Sequence, residues 1–561
     1  MPPTASIPSA ARSARHGALE STQFDVVVIG GGITGAGIAR EATRRGLSVA
    51  LLEADDFAAG TSSRSSKLIH GGLRYLAMGE VQLVRETALE RKRVHALAPH
   101  LAEPCWMLTP AKSWAGLLKF RAGIGTYEKL GAVDAIDRHQ TWRHDELERN
   151  EPLLRRDRFA GAVAYREYLS EDARLVLAVL RDAAGRGAVV QNHLRVEALL
   201  HSGSRGSGSR GSGPRGPGSR VVGVRARCTQ SDRSIEVRGT AVVNAAGPWV
   251  ESVSRLDDPA APNRLHLSKG IHVVIDAARL PIRHIVVLGT EDRRSIFAIP
   301  RGDSVYVGTT DVSHPDDALV WPEIGLDDVR YLLAPLHVGF DVEPLDERDV
   351  RGAWAGLRPL IAQPGKAAKE MSRRDEIWVA ESGLITIAGG KLTGFCKMAE
   401  DALAKVGERL GRALPLADAK EAPLPGGDLG RDLDAESSAL MAATGLNSRT
   451  ARRLVGLYGA EARDVVARGA EPLAQVPPGE AAQVLAGEVE WAVRHEAAET
   501  LIDWLYRRAR VPLHAPTLAP ALLAPAAARL QVLLGWDDAR VRDEIAAAST
   551  QLASDCAFAS G

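Results

Sequence analysis

The chain has 561 residues, 45% of them hydrophobic, which is enough for two or three cooperative units with sizeable cores. Lys plus Arg and Asp plus Glu both total 70, so no global field draws the protein to nucleic acid, and affinity for an anion must come from local clusters. Cys105, Cys228, Cys396 and Cys556 are far apart with no CxxC, which argues against an iron–sulfur site or a dense disulfide framework and fits a reducing compartment.

Residues 1–23 are rich in Ala, Ser and Arg, with Glu20 the only acid, and read as a disordered N-terminal tail, a transit peptide being the alternative. Phe24–Ile29 is a valine-rich run that opens directly into glycines, the pattern of a buried parallel strand. Gly30, Gly32 and Gly35, with Ile33 and Thr34 between them, form GxGxxG at the turn into a helix, and the next strand, Ser48–Leu52, ends at Glu53. Each part has a task in binding a dinucleotide. Gly30 makes the tight turn, Gly32 admits a pyrophosphate to the helix N-terminus, Gly35 allows close packing, and Glu53 accepts from ribose hydroxyls. Residues 112–131 space Leu117, Phe120, Ile124, Tyr127 and Leu130 beside Lys112, Lys119, Arg121 and Lys129, as in a helix lying on a membrane surface. A buried domain helix with a basic rim is the alternative.

Further along, strand-like Val189–Leu200 and Val221–Ala226 flank a Gly/Ser/Arg-rich stretch, 201–220, expected to be a disordered hairpin tip. A substrate-binding sheet is expected mainly over 265–388, with Ile271–Ile275, Ser295–Ile299, Val305–Gly308 and Ile377–Ile387 as its strands. The cofactor and substrate regions interleave over 24–420. APLPGG marks a boundary, after which 425–561, with helical spacing in Ser448–Tyr458 and Gly487–Arg510, form a helical domain. Leu518–Leu534 is the most apolar stretch, but Pro520, Pro525 and Arg529 interrupt it, so no membrane-spanning helix is expected.

Several motifs go further. TSSRSSKLIHGGLRYL (Thr61–Leu76), DARLVLA (Asp172–Ala178), NAAGPWV (Asn244–Val250), KGIHVV (Lys269–Val274), GTTD (Gly308–Asp311), GLRPL (Gly356–Leu360) and GGKLT (Gly389–Thr393) occur in that order over about residues 24–400. In order and spacing they resemble the FAD-dependent glycerol-3-phosphate dehydrogenase family; VRHEAAETLIDWLYRR (Val493–Arg508) resembles its terminal domain less specifically. The resemblance implies an α/β fold: a glutathione-reductase-like (Rossmann) FAD-binding domain, an antiparallel-sheet substrate domain and a C-terminal α-helical domain. It also implies FAD contacts from Thr61, Ser62, Ser63, Ser65, Ser66, Lys67, Leu68, Gly71 and Gly72. Ala246, Gly247, Trp249, Asp311, Gly390, Lys391, Leu392 and Thr393 complete the implied cofactor set.

The implied reaction is oxidation of sn-glycerol 3-phosphate to dihydroxyacetone phosphate, with hydride passing from C2 to FAD and electrons then going to a membrane quinone. Arg74, Arg358, Arg374 and Lys391 are candidates for the phosphate, with Arg373 an alternative register for Arg374. His272 is the candidate base, since imidazole titrates near ~6.5; Arg74 and Arg374 are the other candidate catalytic residues. Tyr75 either hydrogen-bonds the substrate or packs, and His70 holds the loop. Peripheral attachment to the cytoplasmic face of the cell membrane is expected through residues 112–131, and a homodimer is a possible assembly. Two alternatives compete: a soluble oxidase that gives hydrogen peroxide from the same substrate, and a flavin-bearing electron-transfer or scaffold subunit without catalysis.

Overall fold

The computed structural model describes residues 5–70, 80–131, 133–203, 218–315, 317–363, 371, 374–417, 421–430, 432–474 and 482–558. Among these, the first sheet has eight strands. Its path runs Asp375–Val379, Ile385–Gly389, Ser234–Asn244, Gln23–Ile29, Val49–Leu52, Val189–Gln191, and all neighbours beyond the first pair are parallel. The central strand Gln23–Ile29 ends in an unbroken buried apolar run, Val26–Ile29, because both of its faces are covered there. Helices Ile33–Arg44, Asp172–Gly185 and Phe395–Leu410 close one face around Val26, Val28, Val49 and Leu51. The antiparallel hairpin Leu194–His201/Val221–Cys228 and helix Val250–Asp257 shield the other around Val27, Ile29 and Val242.

The second sheet has ten strands and is antiparallel except where Ile285–Gly289 lies parallel to Ala102–Ala111. Its longest ladder joins Leu265–Asp276 to Val350–Ile361. The expected limits of this sheet need correction at both ends. Ala102–Ala111 and Gly161–Ser170 supply two of its long strands, while Asp375–Val379 and Ile385–Gly389 belong to the first sheet. Alternating apolar residues announce a strand but carry no signal of its partner, and Ile385 and Ile387 are buried by the first sheet's helices.

The N-terminal segment is also corrected. Residues 9–21 form a short 3-10 turn and helix Arg12–Ser21 rather than a disordered tail. Ile7 and Leu19 are buried, the Ala497 N–H donates to the Ile7 carbonyl at 2.8 Å, and Arg15 donates to Gln191 at 2.9 Å. The segment therefore clips the C-terminal unit to the first sheet. Its arginines, which resemble a solvated tail in composition, find Glu499 and the Asn192 carbonyl. In the Gly/Ser/Arg stretch, His201 pairs with Val221 and the Ser202 N–H donates to the Arg220 carbonyl, which closes the hairpin base; 204–217 lie outside the described residues.

The C-terminal part comprises helices Leu433–Thr444, Ser448–Tyr458, Ala462–Arg468, Ala486–His495, Ala519–Leu534 and Asp538–Ser554 with shorter turns between them. Pro516–Leu534 is long and apolar enough to cross a membrane by composition, yet Leu522, Leu523, Ala526 and Leu530 pack in this unit's core beside Val489 and Trp504. The helix expected over 112–131 is Trp114–Leu130. Its expected lipid-facing stripe is split: Leu117, Ile124 and Tyr127 are buried against the protein, whereas Phe120 is exposed. Trp114 and Leu118 are also exposed, and with Phe120 they are the large apolar side chains this helix presents outward. The 3–4 spacing identifies an apolar face without telling which neighbour covers it.

Candidate active site

The strand Gln23–Ile29 delivers the chain to Gly30, whose N–H donates to the Leu52 carbonyl at 2.8 Å. Gly30 has φ 112°, and a Cβ there would lie 2.5 Å from the Ala245 carbonyl oxygen. At Gly35 a Cβ would lie 1.9 Å from the Gly30 carbonyl oxygen, so helix Ile33–Arg44 can approach the turn only with glycine at that position. Gly32 precedes the helix with extended backbone and supplies no side-chain cap. The N-cap residue thus leaves the N–H groups of the first turn open to outside acceptors, a site for a diphosphate. Ser62 Oγ accepts from the Ile33 N–H at 3.0 Å and brings the serine loop against this turn. Glu53 accepts from the Gly31 N–H at 2.7 Å and the Asp55 N–H at 2.9 Å, and burial raises its carboxyl above the usual range.

A cavity of about 1780 Å³ extends from this turn across the serine loop to the second sheet. It is lined at one end by Gly30, Gly32, Ile33, Thr34 and Glu53, and beyond them by Thr61, Ser62, Ser65, Ser66 and Leu68. Ala246, Gly247, Trp249, Asp311, Arg358, Gly390, Lys391, Leu392 and Thr393 also line it. The glycine cradle, helix N-terminus and terminal acid fit the adenosine diphosphate part of FAD, and the long wall beyond them leaves room for a ring system. Gly71, Gly72, Arg74 and Tyr75 lie outside the described residues, as does Arg373.

Five expected residues sit differently: Gly35, Ser63, Lys67, His272 and Arg374 do not line the cavity. Gly35 and Ser63 are packed beneath the wall, and Lys67 is buried with its ammonium 3.3 Å from Asp172, 3.0 Å from the Ser63 carbonyl and 4.4 Å from the centre of the Trp354 ring. Burial lowers the Lys67 ammonium to about 7. His272 is 1% exposed, stacks on Trp354 at 4.8 Å between centroids, and shares a 2.9 Å hydrogen bond through Nε2 with Ser66 Oγ. It lies behind the wall, not in it. Arg374 points outward, 54% exposed, with Glu80 at 3.0 Å, and does not line the cavity. The expected convergence of Arg374 on the substrate is therefore absent from the described structure.

Arg358, on strand Val350–Ile361, donates to Thr309 Oγ1 at 2.7 Å and to the Thr310 carbonyl at 3.1 Å, with Asp311 at 3.5 Å. These contacts orient the guanidinium at the cavity wall. His70 lines the same cavity, a position that reading it as a loop-holding residue missed; the IHGG motif was the available signal. Burial, with help from the charges of Lys391 and Arg91, lowers its imidazole to about 3. Burial likewise holds His272 well below 6.5, with Lys67 and Arg358 adding to the effect. Both imidazoles are therefore neutral at pH 7, in surroundings that disfavour the imidazolium.

Residues 25–395 match the family described as FAD dependent oxidoreductase, and residues 417–541 match the C-terminal domain of alpha-glycerophosphate oxidase. Cradle, cavity and matches together define an FAD-dependent oxidoreductase. Aerobic glycerol-3-phosphate dehydrogenases of Staphylococcus haemolyticus and Staphylococcus aureus are each 39% identical over 453 residues, which cover 79% of this chain and 79% of theirs. The glycerol-3-phosphate dehydrogenase from Bacillus halodurans, solved complexed with FAD, is 32% identical and superposes with a TM-score of 0.78 over 98% of both chains. An L-alpha-glycerophosphate oxidase from Mycoplasma pneumoniae shares the fold at 16% identity, with a TM-score of 0.51 over 72% of this chain and 99% of its own. The chain belongs to the FAD-dependent aerobic glycerol-3-phosphate dehydrogenase family.

Proposed function

We propose that this chain oxidises sn-glycerol 3-phosphate to dihydroxyacetone phosphate and passes the electrons to a membrane quinone. The observation that carries this reading is that Arg358 and Lys391 share one cavity with the glycine cradle and the serine loop. A dianion entering a partly desolvated site needs cationic partners, and guanidinium adds a bidentate fork. Bound FAD supplies the acceptor for the C2 hydride. Arg358 and Lys391 hold the phosphate, and that remote binding fixes C2 and its hydroxyl in the cavity. The C2 hydroxyl proton leaves through Ser66 Oγ, whose own proton passes to His272 Nε2. A phosphate on Arg358 offsets one of the positive charges that hold the imidazole low, so substrate binding makes His272 a better base.

Peripheral attachment to the cytoplasmic face of the cell membrane is supported by helix Trp114–Leu130. Trp114, Leu118 and Phe120 are exposed beside Lys112, Lys119 and Arg121. Lys119 and Phe120 also line the cavity, which supports entry of an apolar acceptor from that side. The deciding experiment is anaerobic titration with sn-glycerol 3-phosphate followed by absorbance. Bleaching of bound FAD, restored by a quinone faster than by oxygen, is expected. An unbleached flavin overturns the substrate assignment, and faster restoration by oxygen with peroxide release overturns the acceptor.

A further inference from the structure

Immediately beneath the cavity-lining serine loop lies Asp172, fully buried at the start of helix Asp172–Gly185. One of its oxygens, Oδ2, accepts from the Ser65 hydroxyl at 2.7 Å, the Ser65 N–H at 3.2 Å and the Lys67 ammonium at 3.3 Å. The other, Oδ1, accepts from the Ala173 N–H at 2.9 Å and from the Arg510 guanidinium at 2.6 Å. Arg510 belongs to the C-terminal helical unit, 338 residues further on. Its Nε lies 3.1 Å from Glu171, so the guanidinium bridges two consecutive acids; Arg301 at 2.5 Å and His514 at 2.7 Å complete the surroundings of Glu171.

We infer that Arg510 is a positioning residue through which the C-terminal unit fixes the flavin-side loop Thr61–Leu68, acting by way of Asp172. The loop needs such a hold. Lys67 has φ 53° and Arg510 itself φ 61°, left-handed backbone that side chains rarely adopt and that persists only where the surroundings impose it. Ser65 and Lys67 both take their carboxylate partner from Asp172, and the Lys67 carbonyl accepts from the Ser170 N–H at 2.7 Å. A buried carboxylate that loses one of its two cations turns towards the remaining one, and Asp172 turning towards Lys67 drags Ser65 with it. Ser65 faces the cavity, so the displacement reaches the bound cofactor.

The inference rests on the placement of FAD against this loop, and the test separates the two. FAD affinity, by reconstitution of apoprotein, and the visible circular dichroism of the bound flavin are measured in full-length Arg510→Met, Arg510→Lys, Ser65→Ala and Arg174→Met. Arg174 is the control, because its buried 2.6 Å pair with Glu496 also joins the C-terminal unit to the first sheet but does not touch the loop. Arg510→Met and Ser65→Ala are expected to weaken FAD binding about tenfold or more, the size of a lost charged hydrogen bond. They should share one altered dichroism spectrum, and the double variant should be no worse than the poorer single. Arg510→Lys, which keeps one charge, should fall between Arg510→Met and the parent, and it carries the test if Arg510→Met does not fold. Arg174→Met should lower the melting temperature with FAD affinity and spectrum unchanged. Wild-type affinity in Arg510→Met or Arg510→Lys, with Ser65→Ala impaired, overturns the role of Arg510 alone. An Arg174→Met that reproduces the flavin effect also overturns it. Wild-type affinity in Ser65→Ala overturns the loop placement and the inference together.

Discussion

Ser66 Oγ stands 2.9 Å from His272 Nε2, with the serine at the cavity wall and the histidine behind it. If the C2 hydroxyl proton leaves along this pair, Ser66→Ala and His272→Asn remove the same step. Each should slow anaerobic substrate oxidation by about 10²- to 10⁴-fold, and the double variant should be little slower than either single. Stopped-flow absorbance across pH provides the check. A His272→Asn rate equal to the parent's leaves the residue structural and shifts the assignment to His70, whose neutral imidazole lines the cavity.

Selectivity for the phosphate should reside in Arg358 and Lys391. Losing one charged hydrogen bond costs roughly 1.5–3 kcal/mol, so Arg358→Ala and Lys391→Ala should each lower kcat/KM for glycerol 3-phosphate about 10- to 200-fold. Glycerol, which lacks the phosphate, should be oxidised by parent and variants alike. The comparison is made with both substrates after full FAD occupancy is confirmed. Equal losses for the two would mean that these side chains support the flavin or the fold.

On helix Trp114–Leu130 the two faces give opposite predictions. Leu118→Glu with Phe120→Glu changes exposed residues and should abolish co-sedimentation with anionic lipid vesicles while the melting temperature stays within a few degrees. Ile124→Glu places a carboxylate in the core, where Ile124 has no exposure, and should destabilise by several kcal/mol. Retained sedimentation of the double variant would remove this helix as the docking surface.

His193 gives the alkaline limb of stability. Burial by itself lowers its pKa, but the Asp503 carboxylate 2.9 Å away outweighs burial and raises the imidazole to about 9. The folded state therefore holds a proton that the unfolded chain, with pKa near ~6.5, releases sooner. That stability is fully present below pH ~6.5 and is lost as pH rises through about 9. Melting temperature measured from pH 6 to 10 should fall across this window, and His193→Gln should flatten the fall. An identical slope in the variant would place the linkage elsewhere.

The sequence by itself determined the dinucleotide cradle, because its requirements are local. Gly30, Gly32 and Gly35 answer to the turn and helix that immediately follow the first strand, and Glu53 stands at the end of the next one. The motifs also marked Arg358 and Lys391 and, in the serine loop, Ser62, Ser65 and Ser66, all of which line the cavity. Tertiary structure alone decided which side of the wall each residue occupies. Within a single motif, Ser66 faces the cavity while Lys67 turns under it, since Asp172 and Trp354 lie on that side. Arg374 turns out to Glu80, Ile124 turns in, and the N-terminal residues are held by Gln191 and Ala497. Spacing along a chain specifies a face, but what covers that face, and whether a charge finds a partner, depends on elements that meet only on folding. Asp172 and Arg510, 338 residues apart and 2.6 Å from each other, are the clearest case.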